Sequence, residues 1–185
     1  MLKELLFAIW FFMPAAFANA APVFVAKIPR LKDLNAPMDF GRSYKSQRVF
    51  GSHKTWRGFI AGVIVATLVF WLQQVLVRHY TWAYDLTSQV DYGGLPTLIL
   101  GPLFGIGALG GDAIESFFKR QRHVAPGHGW FPFDQTDYII GGALLTAPFV
   151  PLSFREYVLL ILFWLLAHIA ASYVGYLIGL KERPI

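Results

Sequence analysis

The chain has 185 residues, of which 56% are hydrophobic and only 15% charged, whereas a soluble domain carries about 25% charged residues. That balance excludes a disordered chain and a nucleic-acid-binding tail. The absence of cysteine excludes a disulfide framework, thiolate zinc sites and a cysteine nucleophile, so any metal chemistry uses oxygen ligands or histidine.

A helix crossing the hydrocarbon core needs about 20 mostly apolar residues. Residues 5–24 form a first candidate span. Within it, Ala18-Asn19-Ala20 before Ala21 resembles a small-residue cleavage site, which makes a signal peptide the rival reading. The loop 27–57 is basic, with eight Lys and Arg. Residues 58–77 are a second, uncharged span. The loop that follows is polar and aromatic, and its Tyr80, Trp82, Tyr84 and Tyr92 suit the headgroup level. Residues 95–114 and 138–154 are further spans containing Gly and Pro, and 157–180 is a fifth.

Basic residues near span ends stay on the cytoplasmic side. The first and third loops and the tail hold thirteen of the sixteen Lys and Arg. This pattern fits an all-α integral membrane protein of one domain, 1–185, with five transmembrane helices, the N-terminus outside and the C-terminus cytoplasmic. A cleaved signal peptide would send the eight-charge loop outside, so the charge bias favours a retained first helix.

Ionisable residues at membrane depth are costly and point to function. If the third helix continues past Gly111, then Asp112, Glu115, Ser116 and Lys119 fall on one face. Two carboxylates and a hydroxyl so aligned suit Mg²⁺, although Glu115 and Lys119 could simply pair as i and i+4. Asp134 and Asp137 form a second pair three residues apart, which could instead cap the next helix. Between the pairs lies a turn-rich loop with Pro126, Gly127, Gly129 and Pro132. Four carboxylates from two helix ends could hold two metal ions, a geometry suited to phosphoryl and nucleotidyl transfer. Lys54, Thr55 and Arg57, where the basic loop meets the second span, could clamp phosphate oxygens. For Arg42, Lys45 and Arg48 an anchoring role against anionic headgroups is the simpler reading.

Other signals carry less. Gly105-Ile106-Gly107-Ala108-Leu109-Gly110 matches the dinucleotide fingerprint formally, yet no strand precedes it. Close helix packing explains it better, with Gly101 and Gly105 spaced as GxxxG. His123 and His128 lack a third zinc ligand at suitable spacing, and His168 reads as a helix-interface residue.

Taken together, Gly111-Asp112-x-x-Glu115-Ser116-x-x-Lys119-Arg120, Pro126-Gly127-His128-Gly129 and Asp134-x-x-Asp137 resemble the signature of integral-membrane CTP:phosphatidate cytidylyltransferases. The Asp134-Gln135-x-Asp137 form, the Lys54-Thr55-Trp56-Arg57-Gly58 segment and the short chain look more like the CDP-archaeol synthase branch. The resemblance implies five transmembrane helices, Mg²⁺ dependence, and transfer of a cytidylyl group from CTP to a lipid phosphate with release of pyrophosphate. It makes Asp112, Asp134 and Asp137 the metal and triphosphate carboxylates and adds Lys119 to the catalytic set. Ser116, Arg120, Glu115 and Gln135 would contact substrate, and Lys54, Thr55 and Arg57 would complete the phosphate clamp. The expected setting is the cell membrane, with loops 27–57 and 112–137 facing the cytoplasm. Homodimerisation is left open. The alternative from another class is a small transporter using the same carboxylates as a cation path, which would favour mid-bilayer carboxylates and repeated halves.

Overall fold

The computed structural model describes residues 1–124 and 128–179. Pro126 and Gly127 of the turn-rich loop, Leu180 at the end of the last expected span, and Lys181 and Arg183 of the tail lie outside the described residues. The described helices are α1 (Leu2–Val25), α2 (Trp56–His79), α3 (Thr81–Thr87), α4 (Thr97–Gln121), α5 (Phe133–Thr146) and α6 (Phe154–Leu177). A 3-10 turn, Pro29–Leu34, and a short antiparallel hairpin, β1 (Ser43–Tyr44) with β2 (Gln47–Arg48), lie between α1 and α2. The hairpin turn places Lys45 and Ser46 at φ of 49° and 65°, the left-handed pair that a two-residue hairpin loop requires.

Helices α1, α2, α4 and α6 are each long and apolar enough to cross a membrane. At 14 residues, α5 is shorter, about 21 Å at the helical rise. It begins ahead of the expected fourth span and stops at Thr146, because Pro148 and Pro151 remove backbone donors and break the helical path. By contrast, α4 runs past its expected end to Gln121, so the charged stretch from Asp112 to Arg120 is helical.

Lipid offers no hydrophobic drive for helix association, so close packing of small residues does much of the work. A Cβ on Gly101 would lie 2.7 Å from Thr67 Cα, and one on Gly105 would lie 2.6 Å from Val63 Cα. These two glycines therefore seat α4 against α2, as their spacing suggests. On its other side, α4 meets α5 at a contact where a Cβ on Gly107 would fall 2.5 Å from the Gly141 carbonyl oxygen. Gly111 lies equally tight against the Asp137 carbonyl. This seam brings the α5 carboxylates beside those of α4.

Helix α1 is an integral part of the bundle. Phe7, Phe11, Phe12, Ala15 and Ala18 are buried, and Phe11 meets Phe104 of α4 edge-on with ring centroids 5.1 Å apart. Ala18 and Ala21, the small residues of the cleavage-like motif, are themselves buried in this packing.

At the opposite end from the carboxylates, Gln73 donates to the Trp10 carbonyl at 2.6 Å, and Gln74 donates to the Leu95 carbonyl at 2.7 Å. Tyr92 donates to Gln73 Oε1 at 2.9 Å and is buried. The expectation of a headgroup-level Tyr92 is corrected: the amide acceptor on α2 and the ring of Phe70 draw it into the core. Tyr80, Trp82 and Tyr84 remain exposed.

Candidate active site

Because α4 is continuous, Asp112, Glu115 and Lys119 project from one face, toward α5 and the end of the first loop. One carboxylate oxygen each from Asp112, Glu115 and Asp137 lie within 4.8 Å of one another. Lys54 closes one side, its Nζ donating to both Asp112 oxygens at 2.6 Å. Lys119 closes the other, donating to Asp134 Oδ1 at 2.8 Å with Glu115 Oε1 at 3.7 Å. Asp134 also accepts from the Trp130 N–H at 2.7 Å, which ties the start of α5 to the preceding loop.

Pro132 occupies the N-cap position of α5 with no side-chain cap bond, and Asp134 lies in the first turn, where a negative charge suits the helix dipole. The i, i+4 pairing of Glu115 with Lys119 is present. It coexists with the longer-range bond from Lys119 to Asp134 and so does not account for the cluster.

The acidic trio is suited to a metal. Glu115 is buried, and its Oε1 makes no hydrogen bond. Three carboxylates at such spacing repel one another in a poorly hydrated site unless a cation or protons offset the charge. An all-oxygen donor set fits a hard divalent cation. The structure thus gathers Asp112, Asp137 and Glu115 as the metal-competent group, while Asp134, expected among the metal carboxylates, is engaged by Lys119 and Trp130.

A cavity of ≈ 370 Å³ opens on Asp112 and Asp134. Its walls include Lys54, Thr55 and His53 from the loop, Asn19, Pro22 and Val23 from α1, Phe59 and Leu109, and His168 from α6. Thr55 caps α2, its hydroxyl accepting from the Gly58 N–H at 3.2 Å. Arg57 points away from this space and donates to the Leu31 carbonyl and to Asn35, so here it braces the loop that carries Lys54. Ser116 and Gln135 are buried between helices. Arg120 lines a neighbouring cavity of ≈ 350 Å³ with Arg48 and His123.

The loop owes its shape to Asp39, which sequence reading passed over. Buried and flanked by Pro37 and Gly41, its carboxylate accepts from Arg48 Nε at 3.2 Å and from the N–H groups of Gly41, Phe50 and Gly51 at 3.0 to 3.1 Å. Burial pushes its pKa up, but Arg48 and the three backbone donors outweigh that and hold it well below the usual carboxylate range. Arg48 is accordingly an internal partner of Asp39 rather than a membrane anchor.

A model of the CarS-like CDP-archaeol synthases matches residues 1–185. The chain belongs to the CDP-archaeol synthase family. It is 34% identical over 185 residues to a CDP-archaeol synthase of Thermococcus gammatolerans, covering 99% of this chain and 98% of that one. It is 32% identical over 184 residues to the Pyrococcus furiosus protein of the same name, covering 99% of each. Among solved structures, an intramembrane enzyme for archaeal membrane lipids biosynthesis superposes with a TM-score of 0.70 at 26% identity, covering 89% of this chain and 92% of that one. With four apolar helices of spanning length and this neighbour, the chain is a membrane protein. The cation-path reading is not supported. The family match runs the whole length of the chain, and the carboxylates gather at one end of the bundle beneath two lysines.

Proposed function

We infer that the chain is a CTP-dependent cytidylyltransferase that activates a membrane lipid phosphate of the archaeol type, with Mg²⁺ as its cation. It spans the cell membrane five times, α5 being the short fourth span, and its active site faces the cytoplasm. The observation that carries this reading is the convergence of Asp112, Glu115 and Asp137 within 4.8 Å, beside lysines at 2.6 and 2.8 Å from Asp112 and Asp134. A polyphosphate has no reason to approach so many carboxylates unless a cation stands between them.

In the reaction, an oxygen of the lipid phosphate attacks the α-phosphorus of CTP, and the bond from that phosphorus to the bridging oxygen breaks to release pyrophosphate. The nucleophile is already an anion near neutral pH, since a phosphate monoester has its second pKa at about 6. No protein base has to remove a proton, and the demand on the site is orientation and charge neutralisation. Asp112, Glu115 and Asp137 would hold Mg²⁺, with Asp134 joining them on substrate binding. The ion would supply Lewis-acid neutralisation of the triphosphate. Lys54 and Lys119 offer their ammonium groups to phosphate oxygens that compete with their carboxylate partners. Thr55 contributes at the mouth of the cavity and Arg57 steadies the loop behind it. Arg120 completes the substrate-facing set, and Ser116 and Gln135, buried on α4 and α5, support it from within the bundle.

The test is incorporation of label from CTP into the organic phase by the full chain in detergent or vesicles, with an isoprenoid-ether or a diacyl glycerol phosphate as acceptor. Label appears with the ether lipid, pyrophosphate forms in equal amount, and EDTA abolishes both. Undiminished transfer in EDTA, or none to either lipid, contradicts the reading.

A further inference from the structure

The cavity is lined in part by residues other than its carboxylates and Lys54. Two polar side chains there come from apolar spans: Asn19 of α1 and His168 of α6. Polar groups inside spanning helices are costly and persist where they meet a partner or a ligand. Asn19 stands six residues before the end of α1 and His168 nine before the end of α6, so both lie roughly 9 to 14 Å inside those ends at the helical rise. Asp112 is likewise nine residues from the end of α4, a comparable depth.

Their surroundings distinguish them from a nucleotide site. The same cavity is lined by Pro22, Val23, Phe59 and Leu109, and Val23 is 61% exposed. Triphosphate calls for cations, whereas Asn19 and His168 share the cavity with apolar side chains of α1, α2 and α4. A hydrogen-bonding pair set among apolar side chains that run out to the exposed Val23 suits a headgroup with hydrocarbon tails. The ring of His168 packs against Tyr138 with centroids 5.6 Å apart, and the Tyr138 N–H donates to Asp137 Oδ1 at 2.6 Å. His168 is thereby held at a set position relative to the acidic trio.

We propose that Asn19 and His168 form the acceptor subsite, binding the glycerol phosphate headgroup of the lipid while its chains leave along Pro22, Val23 and Phe59. This rests on the cytidylyltransferase reading and adds to it the residues that hold the second substrate.

The experiment uses the full chain in vesicles, with rates measured over a lipid phosphate series at saturating CTP and over a CTP series at saturating lipid. Asn19→Ala and His168→Ala each raise KM for the lipid phosphate about tenfold, the scale of one lost hydrogen bond to a charged group. KM and equilibrium binding for CTP stay at wild-type values, and His168→Gln recovers part of the loss. CTP binding also reports folding. Where His168→Ala fails to fold, Asn19→Ala and His168→Gln carry the comparison. Wild-type KM for lipid in the folded variants, or a rise in KM for CTP of the same size, overturns the subsite alone. A wild-type protein that labels no lipid overturns the proposed function and this subsite with it.

Discussion

Lys54 Nζ lies 2.6 Å from both oxygens of Asp112, a residue 58 positions further along the chain. The contact joins the end of the basic loop to the C-terminal half of α4, so loop and helix hold one site together. Each side chain is about a quarter exposed, which leaves the pair reachable by a phosphate. Asp112→Asn is expected to lower turnover about 100-fold or more, as loss of a metal carboxylate does. Lys54→Met should chiefly raise KM for CTP. Steady-state rates at varied CTP separate the two, and equal effects on both parameters in both variants would count against distinct roles.

Glu115 is buried with Oε1 free of hydrogen bonds. Its expected role is direct ligation, so Glu115→Gln should weaken Mn²⁺ binding by about 10-fold or more with the fold intact. Mn²⁺ titration followed by electron paramagnetic resonance measures this. An unchanged affinity would assign Glu115 to the Lys119 pair alone.

The carboxyl of Asp39 titrates well below its ordinary range in the folded protein. A depressed native pKa stabilises the fold above the unfolded value, about 3.9 for Asp, and that contribution is lost as pH falls from there toward the native value. Asp39→Asn should therefore flatten the acid limb of stability below about pH 5 and lower stability at neutral pH. Thermal unfolding in detergent across pH checks it. A variant whose acid limb matches wild type would show that other carboxylates govern it.

Two glycines on α4 separate packing from propensity. A Cβ on Gly107 would strike the backbone of Gly141, whereas one on Gly110 meets nothing within 4 Å. Gly107→Ala should cost about 1–3 kcal/mol by overpacking. Gly110→Ala should be neutral or gain up to about 1 kcal/mol from helix propensity. Melting temperatures of the two variants decide, and equal shifts would refute the tight seam.

The legible parts of this molecule were those written in local chemistry. Apolar runs of spanning length became α1, α2, α4 and α6, and the i, i+3, i+4, i+7 spacing from Asp112 to Lys119 became one helical face. What stayed hidden depends on partners distant in sequence. Tyr92 reads as an interfacial aromatic until Gln73 of α2 supplies its acceptor. Arg48 reads as an anchor until Asp39 is seen beneath it. The choice of Glu115 over Asp134 in the acidic trio depends on where Lys119 reaches, which no spacing rule fixes. Asn19 and His168 carried a usable signal, since each is a polar residue in an apolar run. Only the cavity shows that they line one space.

The most direct test is anomalous diffraction from crystals grown with Mn²⁺ and a non-hydrolysable CTP analogue. The account predicts a manganese peak bounded by Asp112, Glu115 and Asp137, with the analogue's phosphates on its far side within reach of Lys54 and Lys119. A peak remote from these carboxylates, or phosphates bound with no manganese between them and the acidic trio, would contradict it.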